Sequence, residues 1–335
     1  MLDFGARGVY FNQMISALNI PRIQTVLEEA VERARANRDG ELASYIPELA
    51  AVAPELTSAA VVLGDGTRLV AGDHAQHRFT MQSVAKVILL AGFLEEVGER
   101  QVFTWINAEP SGLPFSSATQ LDIFGPTPAN PLINAGAILL CSNISGDRDT
   151  RIAWLERWAA KLLGSRVTAN QNVLRSELAT GDRNRALAYL MKSNGVIRGE
   201  VEEILATYFY LCSLEAEIAP AAHMGMLLAN GGKSAEGATI LSERTVANIV
   251  SVMATSGLYD ESGTHLLRTG LPAKSGVSGL IVAVAIGCGG IAVCSPRVNS
   301  KGGSVRGHVI LEHLSRQLGW HFAFQQQRRE MCQRG

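Results

Sequence analysis

Apolar positions along the chain repeat with a helical period in some stretches and form short strand-like runs in others. The helical spacing predicts a helix over Ile23–Ala36, which ends before the polar stop signal at residues 37–40. Two apolar runs, Ala59–Leu63 and Arg68–Ala71, flank Gly64-Asp65-Gly66-Thr67 and predict a β-hairpin.

The remaining pattern predicts many helices, then strands, then a last helix. The central helices are predicted at Leu132–Cys141, Arg151–Leu163, Asn172–Thr180, Arg183–Met191, Arg198–Leu214, Ala221–Leu228 and Ser242–Thr255. Strands at Val277–Ile286 and Ile291–Ser295 and a helix at Val305–Leu318 follow. This order predicts an α/β protein of the α+β type: an antiparallel sheet built from both ends of the chain and flanked by helices, with a helical lobe inserted at about 130–256.

The predicted elements form one domain. We place it at residues 23–320, after an N-terminal extension at 1–22 to which we assign no role. A polar tail at 321–335 follows and is expected to fray toward its end. Between the sheet and the lobe lies a long loop-rich segment, Asn107–Pro131, and a loop of this length usually has a function.

Composition narrows the class of protein. The chain has 47% apolar and 18% charged residues and a net charge of -1, which is typical of a soluble globular protein and shows no bias toward nucleic acid or membrane partners. We see no signal peptide and no apolar run of the roughly 18 residues that span a bilayer, so we expect a cytoplasmic protein. The five cysteines are scattered, which suits reduced thiols, and the seven histidines form no metal-binding motif. We therefore expect no metal and no cofactor.

Ser83 and Lys86 stand three residues apart in the otherwise apolar stretch Phe79–Leu90. Residues at this spacing share one face of a helix, so the hydroxyl and the amine are expected to meet. A lysine among apolar side chains loses hydration of its charged form, which lowers its pKa, and a neutral amine can activate a serine as a nucleophile. A solvated lysine at a helix start is the ordinary interpretation of an isolated match, but the apolar flanks argue against it.

A second motif, Lys274-Ser275-Gly276, lies about 190 residues downstream and leads into the predicted strand Val277–Ile286. A serine-x-x-lysine motif together with a lysine-hydroxyl-glycine element is a signature of serine acyl-enzymes. The two motifs predict a serine nucleophile in a cleft between the sheet and the helical lobe, where concave sites commonly form.

Longer motifs extend the pattern over most of the chain, from about Gly40 to Trp320. They are Ala43-Ser44-Tyr45-Ile46-Pro47, Gln82-Ser83-Val84-Ala85-Lys86, Glu109-Pro110-Ser111-Gly112, Asn130-Pro131-Leu132-Ile133-Asn134-Ala135-Gly136-Ala137, Ser176-Glu177 with Arg183-Asn184, Tyr208-Phe209, Gly257-Leu258-Tyr259-Asp260 and Gly270-Leu271-Pro272-Ala273-Lys274-Ser275-Gly276-Val277. In order and spacing they resemble the serine-dependent glutaminases, which share the fold of β-lactamases and penicillin-binding proteins.

The resemblance implies an amidohydrolase that converts L-glutamine to L-glutamate and ammonia. It implies Ser83 as the nucleophile, Lys86 as the general base, and Tyr45 and Tyr259 as further catalytic residues. The positions that it implies for substrate binding are Ser83, Asn134, Glu177, Asn184, Tyr208, Tyr259 and Val277, with Lys274, Ser275 and Gly276 in supporting roles. It also implies a homo-oligomer, either a dimer or a tetramer.

These residue types suit the implied chemistry. Glu177 is expected to pair with the ammonium group of glutamine, and asparagine and tyrosine donors are expected to bind its carboxylate. The backbone N–H groups of Ser83 and Val277 are expected to form an oxyanion hole. Tyr259 is expected to pass a proton to the departing ammonia.

Two other classes of function stay open at this point. A penicillin-interacting hydrolase would share Ser83, Lys86 and Lys274, but it would act outside the cytoplasm and carry a middle S-D-N or Y-x-N element, which we do not find. A non-catalytic glutamine-binding protein on the same scaffold would have no need of the serine and lysine pair.

Overall fold

The computed structural model describes residues 19–73, 76–114, 116–123 and 125–324. Residues up to 18 of the extension predicted at 1–22 lie outside the described residues. The tail from residue 325, where fraying is predicted, also lies outside them. The limits of the domain therefore stay predictions. In the described part of the chain, no helix is both long enough and apolar enough to cross a membrane.

The main sheet has five antiparallel strands in the order β3-β2-β8-β7-β6. Its strands are β2 (Ser58–Leu63), β3 (Arg68–Gly72), β6 (Ala273–Ser275), β7 (Leu280–Ala285) and β8 (Gly289–Cys294). The first two come from the start of the chain and the last three from its end. The predicted antiparallel sheet and the predicted hairpin are thus confirmed.

Two-stranded pairs complete the β-structure of the described residues. β1 (Glu41–Leu42) pairs with β9 (Arg297–Val298), and β4 (Phe79–Thr80) pairs with β5 (Glu215–Ala216). The second pair joins the segment before Ser83 to the helical region, because the N–H of Met81 also donates to the carbonyl of Leu214 at 2.7 Å.

Fourteen α-helices are described. They are α1 (Ile20–Arg35), α2 (Pro47–Ala50), α3 (Lys86–Glu96), α4 (Glu99–Trp105), α5 (Thr119–Ile123), α6 (Asn134–Ser142), α7 (Arg148–Leu163), α8 (Gln171–Thr180), α9 (Asp182–Ser193), α10 (Val201–Cys212), α11 (Ile218–Ala229), α12 (Glu243–Ser256), α13 (Ser262–Thr269) and α14 (Val305–Leu318). The sequence pattern missed four short helices, α2, α4, α5 and α13, of which α5 lies inside the segment predicted as loop-rich, Asn107–Pro131. The prediction placed the start of α1 at Ile23, three residues after its observed start at Ile20. The helix begins earlier because the side chain of Asn19 caps its first turn.

Helices cover the sheet on both faces. β2, β7 and β8 are buried along their whole length, and their side chains alternate between two hydrophobic clusters. One cluster joins the sheet to α11 and the helical region, and the other joins it to α1 and α14. Gly290 lets α11 approach closely, since a Cβ there would lie 2.0 Å from the backbone nitrogen of Met226.

Two segments beside the predicted motifs differ from the sequence prediction. Ser83 lies in a 3-10 turn, Gln82–Ala85, that precedes α3 rather than inside the α-helix. The strand predicted at Val277–Ile286 begins at Leu280, and the Lys274-Ser275 pair belongs to β6 instead. The chain reverses between these strands because the N–H of Gly276 donates to the carbonyl of Leu280 at 2.8 Å and Gly279 takes a φ of 87°.

Candidate active site

Ser83 lies in a strained turn at the seam between the sheet and the helical region. Its side chain is almost buried, with 9% of the residue exposed. The residue before it, Gln82, has a φ of 47°, a left-handed conformation that costs a non-glycine residue about 1–3 kcal/mol. The turn leads directly into α3, whose first nine residues are all buried. The nucleophile candidate is thus held at the N-terminal end of a core helix.

Lys86 is the first residue of α3 and is fully buried. Its amine donates to the side-chain oxygen of Asn134 at 2.6 Å and to the carbonyl of Leu132 at 3.4 Å. No carboxylate in the described part of the chain forms an ion pair with it. Burial lowers the pKa of Lys86 to about 8, so about a tenth of the amine is neutral at pH 7 and about half at pH 8.

Tyr259 closes the site from the other side and lies close enough to Ser83 for the serine side chain to act on the pKa of its phenol. It lies in a 3-10 turn, Tyr259–Glu261, with a φ of 57°, so both residues that flank the serine hydroxyl are in left-handed conformations. Burial raises the pKa of Tyr259, and the side chain of Ser83 acts in the opposite direction. The phenol is therefore neutral and able to give a proton.

Lys274 lies under the ring of Tyr259 on the edge strand β6. Its amine is 4.2 Å from the ring centroid and donates to the carbonyl of Ser275 at 2.7 Å. Burial, and then repulsion by Lys86, lower the pKa of Lys274 well below its ordinary value. Two buried amines with lowered pKa values thus lie near the tyrosine ring, since the amine of Lys86 is 5.9 Å from its centroid.

Gly276 and Val277 bring the end of β6 against the nucleophile turn. A Cβ on Gly276 would lie 2.8 Å from the carbonyl oxygen of Met81, so only glycine permits this approach. Among the described residues, no backbone carbonyl accepts from the N–H of Ser83 or the N–H of Val277. Both donors are therefore available to a ligand, as an oxyanion hole requires.

A second group of site residues lies across the cleft around Glu177. The hydroxyl of Tyr45 donates to Glu177 Oε1 at 2.7 Å and lies 3.1 Å from Gln82 Oε1. Although 46% of Tyr45 is exposed, its hydroxyl reaches a carboxylate of which only 5% is exposed. Burial raises the pKa of both groups, and the bond from Tyr45 partly offsets that effect on Glu177. This carboxylate has no cationic partner in the described part of the chain.

Asn134, Asn184 and Tyr208 line the helical side of the site. Asn134 accepts from Lys86 and donates to Asn184 Oδ1 at 2.9 Å. The ring of Tyr208 is 5.9 Å from the Lys86 amine, and Cys212 lies close enough to act on the pKa of its hydroxyl. Burial raises the pKa of Tyr208, so its hydroxyl also stays neutral. All predicted site residues therefore converge on one region of the fold.

Comparisons with known proteins fit this geometry. A family model described as Glutaminase matches residues 40–322. The chain belongs to the glutaminase family. It is 51% identical over 300 residues to a glutaminase of Legionella pneumophila (strain Lens), covering 89% of this chain and 96% of that one. It is 42% identical over 284 residues to a glutaminase of Clostridium botulinum (strain Kyoto / Type A2), covering 84% and 93%.

Solved structures of glutaminases share the fold. The structure of a probable glutaminase, ybaS, superposes with a TM-score of 0.87 at 36% identity, covering 90% of this chain and 98% of that one. The glutaminase family has a β-lactamase-like fold, so the predicted family, enzyme class and fold are all confirmed.

Sequence reasoning missed two residues of this glutaminase site. Gln82 Oε1 accepts from the hydroxyl of Tyr45, and the Gln82 side chain also acts on the pKa of Glu177. Cys212 lies close enough to Lys86 and Tyr208 to act on the pKa of each. The position of Gln82 beside the nucleophile was a signal available in the sequence, whereas nothing in the sequence around Cys212 connects it with Ser83.

Within the ranges that the structure describes, no group of three or more histidine, cysteine, aspartate or glutamate side chains is arranged to hold a metal ion. The site as described consists of hydroxyls, amines, amides and one carboxylate.

Proposed function

We propose that this member of the glutaminase family hydrolyses L-glutamine to L-glutamate and ammonia through an acyl-enzyme on Ser83. The observation that carries the proposal is Lys86, a fully buried amine three residues after the serine. Its pKa is lowered to about 8, and no carboxylate of the described residues pairs with it. A neutral amine at this place can accept the serine proton.

In the first step, the Ser83 oxygen attacks the amide carbon of the substrate side chain, and its proton passes to the amine of Lys86. In the structure the amine hydrogen-bonds Asn134 and Leu132. To accept the serine proton, it has to turn toward Ser83 when substrate binds. Catalytic hydrogen bonds often tighten only in the complex with substrate. The N–H groups of Ser83 and Val277, which donate to no backbone carbonyl of the described residues, stabilise the oxyanion that forms.

In the second step, Tyr259 gives its proton to the amide nitrogen, the carbon–nitrogen bond breaks and ammonia leaves. The tyrosine recovers a proton from the ammonium of Lys86, which returns both groups to their starting state. Water then attacks the glutamyl ester, transfers a proton through the same pair to the serine oxygen and releases glutamate. Because Lys274 contacts the same ring, its lowered pKa keeps a second positive charge out of the site.

Substrate recognition follows from the charges of glutamine. The buried carboxylate of Glu177 pairs with the substrate ammonium as a charge-assisted hydrogen bond, which removes the cost of an unpaired buried charge. The amide of Asn184 and the hydroxyls of Tyr45 and Tyr208 bind the substrate carboxylate. Asn134 contributes through its bonds to Lys86 and Asn184.

Two further properties stay proposals. Buried thiols at Cys141, Cys212 and Cys294 fit a reducing compartment, and we propose the cytoplasm. We also propose a homo-oligomer, a dimer or a tetramer, on the resemblance of the chain alone.

The test compares glutamate and ammonia release by the wild-type protein, Ser83→Ala, and Ser193→Ala as a matched control on an exposed helix end. L-Asparagine and nitrocefin serve as parallel substrates. We expect turnover of L-glutamine that Ser83→Ala abolishes and Ser193→Ala leaves unchanged. Turnover that survives Ser83→Ala would overturn the acyl-enzyme.

Two controls address the other classes of function. Acylation of Ser83 by a fluorescent penicillin, with nitrocefin turnover and no glutamine turnover, would favour a β-lactam-interacting hydrolase. A rise in melting temperature with glutamine but no release of ammonia would identify a binding protein.

A further inference from the structure

A turn near the end of the chain contacts the segment that carries Tyr259. The amide of Asn299 donates to Glu261 Oε1 at 2.8 Å, and the amine of Lys301 lies 2.9 Å from Asp260 Oδ2. Asp260 and Glu261 are the two residues directly after Tyr259. Two side chains from a separate part of the sequence thus hold the two consecutive carboxylates of the 3-10 turn.

The turn that makes these contacts is itself well fixed. Asn299 Oδ1 accepts from the N–H groups of Lys301 at 2.9 Å and Gly303 at 3.0 Å, and the Asn299 N–H donates to the Gly303 carbonyl at 2.9 Å. A Cβ on Gly303 would lie 2.8 Å from Glu261 Oε2 and 2.7 Å from His308 Nε2. Glycine at 303 therefore allows the turn to approach the carboxylate.

Tyr259 needs this support because its backbone is in a left-handed conformation, which side-chain-bearing residues rarely adopt. Within its own segment, the hydroxyl of Ser262 donates to the Tyr259 carbonyl and accepts from the Leu258 N–H, each at 2.9 Å. These local bonds fix the backbone path. The segment also packs on β6, because the N–H of Ser275 donates to the carbonyl of Gly257 at 3.4 Å. The contacts to Asn299 and Lys301 add direct bonds to the two residues that follow Tyr259.

We propose that Asn299 and Lys301 are positioning residues that hold Tyr259 in place to protonate the leaving ammonia. Asn299 is the more important of the two. Its contact is partly buried, whereas the side chains of Lys301 and Asp260 are 45% and 31% exposed and an ion pair of that kind is screened by water. The inference rests on the proposed function, because it assumes that Tyr259 is the acid.

The first experiment exchanges the donor and the acceptor of the buried contact. Asn299→Asp keeps an oxygen for the N–H groups of Lys301 and Gly303 but places a carboxylate against Glu261. Adding Glu261→Gln restores an amide-to-carboxylate hydrogen bond with the direction reversed. We expect Asn299→Asp to lower kcat for L-glutamine by about 10-fold with KM changed less than about 2-fold. This loss is smaller than the roughly 10²–10⁴-fold that general acid catalysis usually contributes, because the variant displaces the acid without removing it. The double variant should recover most of the lost kcat.

The second measurement separates positioning from general destabilisation. L-Glutamate γ-methyl ester has the same acyl group, but its alcohol leaves with less help from an acid than ammonia does. We expect Asn299→Asp to affect the ester much less than the amide. Lys301→Gln should show the same selectivity with a smaller loss. Lys192→Gln is the control: Lys192 has an exposure similar to that of Lys301 and is paired with Glu200, remote in sequence from the Tyr259 turn, and its replacement should change turnover of neither substrate.

The outcomes are distinguishable. Equal losses on the amide and the ester, or a double variant that folds but recovers nothing, would overturn the positioning role. An unchanged kcat in Asn299→Asp would do the same. Failure of the proposed function would appear earlier, as a wild-type protein that does not turn over L-glutamine. Circular dichroism and melting temperature confirm that each variant is folded before its kinetics are compared.

Discussion

Replacing Lys86 by methionine tests the central electrostatic feature of the site. The amine is fully buried without a carboxylate, and burial lowers its pKa from 10.5 to about 8. In the unfolded chain the same amine has its ordinary pKa. The folded state therefore binds a proton less tightly than the unfolded state, and this difference makes stability depend on pH.

The sign and the size follow from these two values. Below pH 8 the amine of Lys86 is protonated in both the folded and the unfolded protein, so the full cost of burying the charged amine opposes folding. Between about 8 and 10.5 the folded protein has lost the proton while the unfolded chain keeps it, so the free energy of unfolding rises with pH. For these pKa values the rise is about 2.5 kcal/mol between pH 7 and pH 10.

Methionine has a similar length and no charge, so Lys86→Met removes this term. We expect the free energy of unfolding of the wild-type protein, relative to Lys86→Met, to increase by about 2.5 kcal/mol from pH 7 to pH 10. The loss of the bonds to Asn134 and Leu132 is the same at each pH and shifts the whole curve without changing its slope. The variant should also lose glutamine turnover.

The assay is urea unfolding followed by circular dichroism at several pH values between 7 and 10. Lys192→Met, at a half-exposed lysine, is the control and should show no slope relative to the wild type. A difference between wild type and Lys86→Met that stays constant with pH would mean that Lys86 keeps its proton in the folded protein. The reasoning about a neutral base would then be wrong.

Three further predictions follow from the same geometry. If neutral Lys86 is the base, kcat/KM should rise about 10-fold between pH 7 and pH 9 and level off above, measured by glutamate release; a flat profile would contradict it. Tyr45→Phe removes the 2.7 Å bond to Glu177 and should raise KM for L-glutamine by about 10-fold, which is the contribution expected of a hydrogen bond to a charged group. A loss in kcat alone would instead mean that Tyr45 takes part in the chemical step. Gly257→Ala places a Cβ 1.8 Å from a backbone carbonyl oxygen and should lower the free energy of unfolding by about 1–3 kcal/mol or more in urea, whereas the control Gly263→Ala, with open space around it, should be neutral or stabilising.

Much of the fold followed from local patterns. The β2–β3 hairpin was predictable because its strands are apolar runs around a polar, glycine-containing turn. The helices after Asn134 were predictable because their apolar positions repeat with the helical period. Helices α4 and α13 escaped prediction, since short helices with few apolar positions are stabilised by their neighbours rather than by their own pattern.

The sequence by itself determined the chemistry of the site. Ser83 and Lys86 are three residues apart, so any helical turn brings them close, and the apolar neighbours of Lys86 ensure its burial and its lowered pKa. The family motifs supplied the remaining residue types.

Only the tertiary structure decided how these groups meet. It places the amine of Lys86 on Asn134 rather than on Ser83, and it puts Tyr259 in a left-handed turn against the serine. It also brings Asn299 to Glu261 across 38 residues of sequence. The physical reason is that such contacts join segments that are far apart in the chain. Their geometry is set by the packing of the sheet against its helices, and no local spacing encodes it.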